Sequence, residues 1–190
     1  MGLSQKKRFL PYLDGTIYLE EALLPGAAEF LSWARETGCA VRYLTNNSSP
    51  GVEAGLEKMR RLGIPARREE FLTAVEATAY YLHTRRDPSD VEYAVGTDSF
   101  CRQLGEAGVD LRQTPDRDVT AVLGAFDTEL SYQKVENACR LLARGADFLA
   151  TNPDLACPTL FGFIPDCGAI CQLIAHAAGR TPELNRSVSR

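Results

Sequence analysis

Short apolar runs that alternate with stretches of helical periodicity are the feature of this sequence that most restricts its fold. Residues 9–13 form the first apolar run, which ends at Asp14, Gly15 and Thr16. Between residues 27 and 37, apolar residues recur every three or four positions, as on one face of a helix. A second apolar run, residues 40–44, ends at Thr45. Strand, helix and strand in this order predict a parallel sheet with Asp14 and Thr45 at the edge where α/β proteins bind ligands.

The same alternation continues along most of the chain. We predict further helices over residues 51–62, 74–84, 99–107, 132–144 and 169–178, and strands over residues 71–73, 91–95, 119–126 and 148–150. Residues 157–168 are rich in glycine and proline and predict a loop, while residues 179–190 are polar and carry no strand signal. The sequence therefore predicts an α/β fold in two modules, separated near a charged, proline-containing stretch at residues 85–90.

Composition narrows the classes of protein to which the chain can belong. Its 190 residues are 45% hydrophobic, enough for one packed domain or two small ones. The net charge of −4 gives no basic face for nucleic acid or an anionic membrane. No apolar run approaches the roughly 18 residues of a membrane span, and no signal-peptide core is visible, so we expect a cytoplasmic protein. Without an export signal, the six cysteines favour free thiols over disulfides.

Four motifs together indicate a known family. Residues 13–16 read Leu-Asp-Gly-Thr, residues 44–49 read Leu-Thr-Asn-Asn-Ser-Ser, residues 148–154 read Phe-Leu-Ala-Thr-Asn-Pro-Asp, and residues 162–168 read Gly-Phe-Ile-Pro-Asp-Cys-Gly. In this combination the chain resembles the haloacid dehalogenase superfamily. The resemblance is to its nitrophenylphosphatase or phosphoglycolate-phosphatase-like (NagD-like, type IIA cap) branch and covers roughly residues 9–183.

The resemblance implies a fold and its boundaries. Family members have a Rossmann-like parallel-sheet core into which an α/β cap domain is inserted. By similarity, residues 1–73 are the first half of this core, residues 74–179 are the cap, and residues 180–190 are a polar tail. The Gly-Lys-Pro and Gly-Asp segments that follow the cap in the family are not found, so we expect the second half of the core to be missing.

The resemblance also assigns roles at the sheet edge. In the family, an aspartate attacks phosphorus to form an aspartyl-phosphate, and a second aspartate two residues later acts as acid and base. Asp14 matches the second aspartate, and Tyr12 stands at the position of the nucleophile. Thr45 and Asn46 match residues that bind the transferred phosphoryl group.

Two further assignments concern the cap and the metal. Asp154, Cys157 and the loop to Asp166 match the cap segment that faces the substrate. The family uses Mg²⁺, to which Asp14 would contribute its backbone carbonyl, while the other ligands belong to the segments that are not found.

Physical reasoning leaves alternatives open at several of these positions. Tyr12 is a poor nucleophile because a phenol has a pKa of about 10, and it can instead fill the pocket. Residues 45–49 are also typical of a helix N-cap segment. Asp154 follows Asn and Pro, so it can equally stabilise a turn. For Asp127 we predict a cap of the helix that begins near Ser131.

Two functions follow from the resemblance. The first is Mg²⁺-dependent hydrolysis of small phosphomonoesters. The alternative is a catalytically inactive remnant, or a module that binds a phosphate ligand or a partner, which Tyr12 and the missing half of the core favour; we expect little or no activity. The partner would be a small phosphorylated metabolite rather than nucleic acid or membrane. An open edge of the strand at residues 8–13 predicts self-association.

Overall fold

The computed structural model describes residues 7–45 and 51–184. The first elements are β1 (Arg8–Phe9), β2 (Tyr18–Leu19), β3 (Ala22–Leu23), α1 (Ala27–Glu36), β4 (Ala40–Val41), β5 (Tyr43–Thr45), α2 (Gly51–Arg61) and β6 (Phe71–Thr73). They are followed by α3 (Ala74–Arg85), β7 (Glu92–Val95), α4 (Asp98–Glu106), β8 (Leu111–Arg112), β9 (Ala121–Gly124), α5 (Tyr132–Ala143), β10 (Asp147–Ala150), β11 (Ala156–Thr159), β12 (Gly162–Pro165), α6 (Cys167–Ala178) and β13 (Glu183–Leu184). The order confirms the predicted α/β class.

The predicted strand, helix and strand at the start of the chain are present. Strands β1 and β4 pair in parallel, as do β5 and β6. The first strand is shorter than predicted, but its pairing continues as a bridge between Tyr12 and Leu44. Helix α1 buries Ala27, Leu31 and Ala34 against this layer, as their spacing predicted. Asp14 and Thr45 therefore follow neighbouring strand segments at one edge.

A five-stranded parallel sheet organises the second part of the chain. Its strand order is β13-β10-β9-β7-β8. Along β9, Ala121 and Leu123 belong to one buried cluster with residues of α3 and α4, whereas Val122 belongs to another with α5 and α6. Because successive side chains of a strand point to opposite faces, helices cover both faces of this sheet.

The buried apolar residues divide near the predicted domain boundary. One cluster runs from Leu13 to Phe71, and the two others lie between Val75 and Ile174. This packing supports a division at residues 73 and 74, although the domain assignment stays a prediction. None of the helices in the described ranges is long and apolar enough to cross a bilayer.

Two parts of the secondary structure prediction were wrong. Residues 157–168, predicted as a loop, contain the antiparallel hairpin β11–β12 and the start of α6. The polar tail predicted for residues 180–190 contains β13, which pairs in parallel with Leu149 and Ala150. The two errors have different causes. Strands β11 and β12 contain Pro158, Gly162 and Pro165, which are loop signals in a sequence. Strand β13 has only two residues and forms through backbone hydrogen bonds to a distant strand.

Candidate active site

A cavity of about 100 Å³ lies where the first and second parts of the chain meet. Five of the six predicted site residues lie on its wall: Tyr12, Asp14, Thr45, Asp154 and Cys157. The sixth, Asn46, is outside the described residues. The tertiary structure thus brings together residues from the start of the chain and from the segment after β10.

Asp14 is placed by a tight turn after a buried anchor. Leu13 is 1% exposed and fixes the chain in the core just before Asp14. The amide of Gly15 then donates a hydrogen bond to the carbonyl of Tyr18 at 2.9 Å, which closes the turn. Burial raises the pKa of the Asp14 carboxyl, while the ammonium of Lys58 and a backbone hydrogen bond oppose the rise. A carboxyl group that keeps its proton to higher pH is suited to acid and base chemistry.

Tyr12 occupies the position that the sequence resemblance assigns to a nucleophile. Its side chain is partly exposed. Burial raises the pKa of the phenol, and the nearby carboxylate of Asp154 adds to the rise. Both effects disfavour the phenolate, which is the form that would attack phosphorus. The electrostatics of the site therefore argue against a nucleophilic Tyr12.

Thr45 and Thr73 lie side by side at the ends of β5 and β6. The hydroxyl oxygen of Thr73 accepts a hydrogen bond from the amide of Glu76 at 3.1 Å and caps helix α3. Thr45 instead lies on the cavity wall. The alternative of an N-cap segment at residues 45–49 falls mostly on residues outside the described ranges.

The turn after β10 carries Asp154 to the cavity. The amide of Asp154 donates to Oδ1 of Asn152 at 2.9 Å, and its carbonyl accepts from the amide of Gly168 at 2.8 Å. A Cβ atom on Gly168 would lie 2.4 Å from the carbonyl oxygen of Pro153, so only glycine permits this close approach. The backbone of Asp154 thus belongs to the turn, while the residue also lines the cavity.

Asp166, the end of the loop that the resemblance places against the substrate, also lies on the cavity wall. Its Oδ1 accepts a hydrogen bond from the amide of Cys167 at 2.6 Å at the start of α6. Burial raises its pKa, and the carboxylates of Asp154 and Asp14 add to the rise. Asp166 is the N-cap of α6, which begins at Cys167, two residues before the helix start predicted from the sequence.

The thiol of Cys157 lies among these carboxylates. Burial raises its pKa to about 11, and the charges of Asp166, Asp14 and Asp154 contribute to the rise. At neutral pH the group is therefore a thiol and not a thiolate nucleophile. The cap side of the cavity consequently offers hydrogen-bond acceptors and little positive charge.

The predicted role of Asp127 as a helix cap was wrong. The cap of α5 is Ser131, whose hydroxyl accepts from the amide of Lys134 at 3.3 Å. Asp127 accepts a hydrogen bond from the ammonium of Lys134 at 2.9 Å and another from the amide of Glu129. Sequence spacing could not reveal this because the lysine reaches back seven residues through space.

The described residues do not by themselves fit a magnesium site. Within residues 7–45 and 51–184, no group of three or more His, Cys, Asp or Glu side chains is arranged to hold a metal ion. Octahedral Mg²⁺ needs compact oxygen ligands at short range.

Comparison with known proteins places these features in a family. Residues 9–110 match the family model of haloacid dehalogenase-like hydrolases. The acid sugar phosphatase of Staphylococcus aureus (strain MRSA252) is 33% identical over 181 residues, which span 95% of this chain and 69% of that protein.

Solved structures agree with this family. The 4-nitrophenylphosphatase of Thermotoga maritima is 32% identical, with a TM-score of 0.85 over 96% of this chain and 68% of its own. The glycerol phosphate phosphatase of Mycobacterium tuberculosis, solved with magnesium, shares the fold at 22% identity, with a TM-score of 0.87 over 99% of this chain and 58% of its own. The motifs, the fold and these relatives agree, and the chain belongs to the phosphatase-like, NagD-like branch of the haloacid dehalogenase-like hydrolases.

Proposed function

We propose that the cavity binds a small phosphomonoester and that the chain hydrolyses it, with Asp14 as the acid and base group. The observation that carries the proposal is the meeting of Asp14 and Thr45 on one cavity wall at the carboxyl ends of parallel strands. The hydroxyl of Thr45 can donate a hydrogen bond to the phosphoryl group. The family resemblance assigns Asn46 to the same phosphoryl-binding role.

The pKa of Asp14 and the pKa of Tyr12 are both raised, and each shift bears on a different part of the reaction. Burial raises the pKa of Asp14 and so favours its protonated form, which can donate a proton to the leaving oxygen as the bond from phosphorus breaks. Tyr12 has a pKa raised above that of an ordinary phenol, so we assign the attack to water. Water oxygen bonds to phosphorus, its proton passes to solvent, and the products are an alcohol and inorganic phosphate, after which Asp14 regains a proton.

Hydroxylated leaving groups fit the cap side of the cavity. Asp154 and Asp166 present carboxylates there, and carboxylate oxygens accept hydrogen bonds from alcohol groups. The relative from Staphylococcus aureus is an acid sugar phosphatase. We therefore propose a phosphate ester of a small polyol or short sugar as the substrate class, with Asp154 and Cys157 at the leaving group.

Magnesium enters this proposal through the family alone. A structurally similar glycerol phosphate phosphatase was solved with magnesium. By resemblance, the backbone carbonyl of Asp14 would contribute one ligand, and the ion would neutralise phosphate charge. Cytoplasmic location and self-association through the strand at residues 8–13 stay predictions, and so does the expectation of little or no activity.

A second candidate function is binding of a phosphate ligand without turnover. The observation that favours it is the raised pKa of Tyr12 at the nucleophile position. Such a module would use the same Thr45 donor and the same cavity.

Hydrolysis of 4-nitrophenyl phosphate by the purified chain, with and without magnesium, separates the two functions. We expect slow turnover that Asp14→Asn abolishes and that Tyr12→Asp increases by restoring a carboxylate nucleophile. Binding of inorganic phosphate, measured by calorimetry, is the companion measurement. If phosphate binds but neither the parent chain nor Tyr12→Asp hydrolyses 4-nitrophenyl phosphate, the chain is a binding module and the proposed hydrolysis is wrong.

A further inference from the structure

One hydrogen bond joins two hairpins that lie on different sides of the candidate active site. The core hairpin is β2–β3 (residues 18–23), and the cap hairpin is β11–β12 (residues 156–165). At the tip of the cap hairpin, the amide of Leu160 donates to Oε1 of Glu20 in the core hairpin at 2.8 Å. The two residues are 140 positions apart in the sequence.

Glu20 has an unusual backbone conformation. Its φ of 47° makes it the one residue other than glycine with a positive φ among the residues that the structure describes. Two-residue hairpin turns require such angles and favour glycine, asparagine or aspartate. A glutamate in this position costs conformational free energy, and such outliers point to a role for the side chain.

Tyr18, which is 4% exposed, holds the core hairpin in the buried cluster of the first part of the chain. Arg61 of α2 pairs with Glu21 at 3.2 Å, and the ammonium of Lys58 lies 3.8 Å from the centroid of the Tyr18 ring. The hairpin is therefore attached to helix α2 on one side and, through Glu20, to the cap hairpin on the other.

The cap hairpin covers the cavity from which Asp14 is reached. Cys157 and Pro158 line the cavity. Pro158 packs against the backbone of Gly15: a Cβ atom added to Gly15 would lie 3.4 Å from the proline ring. At the tip, by contrast, Leu160 is 69% and Phe161 80% exposed, so few packing contacts hold it. The hydrogen bond from the amide of Leu160 to Glu20 ties this exposed tip to the core hairpin.

We propose that Glu20 is a positioning residue that holds the cap hairpin over the cavity and thereby limits the size of the leaving group. The cavity of about 100 Å³ is smaller than the roughly 300 Å³ at which typical ligand pockets begin. A phosphoryl group with a small alcohol fits beneath the closed hairpin, and a bulky group requires the tip to lift. The size limit rests on the proposed function, whereas the contact between the hairpins does not.

Amide hydrogen exchange at Leu160, followed by NMR in the full chain, tests the contact directly. Glu20→Ala removes the acceptor, and Glu20→Gly also relieves the backbone strain. Both should speed exchange at Leu160 by roughly fivefold, as expected for loss of one hydrogen bond. Glu20→Gln keeps an oxygen acceptor and should restore most of the protection. Glu21→Ala is the matched control, because its carboxylate pairs with Arg61, and it should leave exchange at Leu160 unchanged.

Binding of two probes tests the size limit without requiring turnover. Inorganic phosphate represents the small group, and phenylphosphonate a bulky one. In Glu20→Ala, the ratio of the phenylphosphonate Kd to the phosphate Kd should fall several-fold, and Glu20→Gln should return it towards the parent value. A ratio that does not change would overturn the size limit.

The two proposals fail in different ways. Unchanged exchange at Leu160 in Glu20→Ala would overturn the role of Glu20, whatever the cavity binds. Absence of phosphate binding in every variant would overturn the proposed function, and the size limit with it, while the exchange measurement would still decide whether Glu20 holds the hairpin.

Discussion

The ammonium of Lys134 donates hydrogen bonds to the buried carboxylate of Asp127 at 2.9 Å and to the carbonyl of Gly96 at 2.8 Å. Asp127 follows β9 and Gly96 follows β7, so one side chain of α5 joins the ends of two central strands. The carboxylate of Asp127 has no exposed surface. A buried charge of this kind depends on its partner because water cannot replace it.

Lys134→Met should therefore destabilise the chain strongly. It removes the ammonium and leaves the Asp127 carboxylate buried, with the amide of Glu129 still donating a hydrogen bond to it. We expect a loss of about 3 kcal/mol in the free energy of unfolding, measured by chemical denaturation. The control is Arg140→Met on the same helix, whose pair with Glu136 is solvent-exposed and should contribute under about 1 kcal/mol. Equal effects of the two substitutions would contradict the prediction.

Glu92 should make the stability of the chain fall as pH rises from acid to neutral. Burial raises its pKa from 4.5 to about 7, with Asp90 and Asp110 adding to the rise and Arg86 opposing it. Below about pH 4.5, Glu92 is protonated in both the folded and the unfolded state, so its ionisation does not change the free energy of unfolding. Between 4.5 and 7 the unfolded chain releases a proton that the folded chain keeps, so the folded state loses up to about 3 kcal/mol relative to the acid limit.

Glu92→Gln should abolish this decline, since the amide does not ionise. The measurement is the free energy of unfolding of parent and variant across pH 4 to 8, and the difference between them should grow with pH and level off above 7. The control is Glu106→Gln, at an exposed position. Its free energy of unfolding should change with pH in the same way as that of the parent chain. A difference between Glu92→Gln and the parent that is constant with pH would show that Glu92 does not titrate in this range.

Gly168→Ala should damage both stability and the candidate site. The new Cβ would meet the carbonyl oxygens of Pro153 and Asp154 at 2.4 and 2.8 Å, and these backbone atoms cannot move without shifting the turn. We expect a cost of about 2 kcal/mol or more. The same substitution at Gly105, near the end of α4 with nothing within 4 Å, should instead stabilise the helix by about 0.5 kcal/mol. If the close contact is real, the Tm measured by thermal unfolding should fall in Gly168→Ala and rise in Gly105→Ala, each compared with the parent chain.

Cys157 should react slowly with iodoacetamide at pH 8, because a pKa of about 11 leaves a very small fraction of thiolate. Asp154→Asn removes one of the charges that raise this pKa, so alkylation should be faster, as measured by mass spectrometry. Asp116→Asn, in the loop before β9, is the control and should leave the rate unchanged. If Cys157 is alkylated at the same rate in the parent chain and in Asp154→Asn, the carboxylate of Asp154 does not act on the thiol.

The sequence was sufficient for the family and for most of the fold. Apolar periodicity located the six α-helices of the described residues, because burial of one face imposes a spacing that local sequence must carry. The four motifs led to the family that the comparisons show. Strand β13, which was missed, is too short to leave a pattern and exists only through backbone pairing with a distant partner.

The candidate site shows the same division between local and distant information. The sequence placed Asp14 and Thr45 at one sheet edge, since the order of strand, helix and strand fixes that geometry. Only the tertiary structure decided that Asp127 pairs with Lys134 and that Glu20 reaches the amide of Leu160. Each of these contacts joins groups of separate chain segments, and their approach depends on how the segments pack, which spacing along one element does not encode.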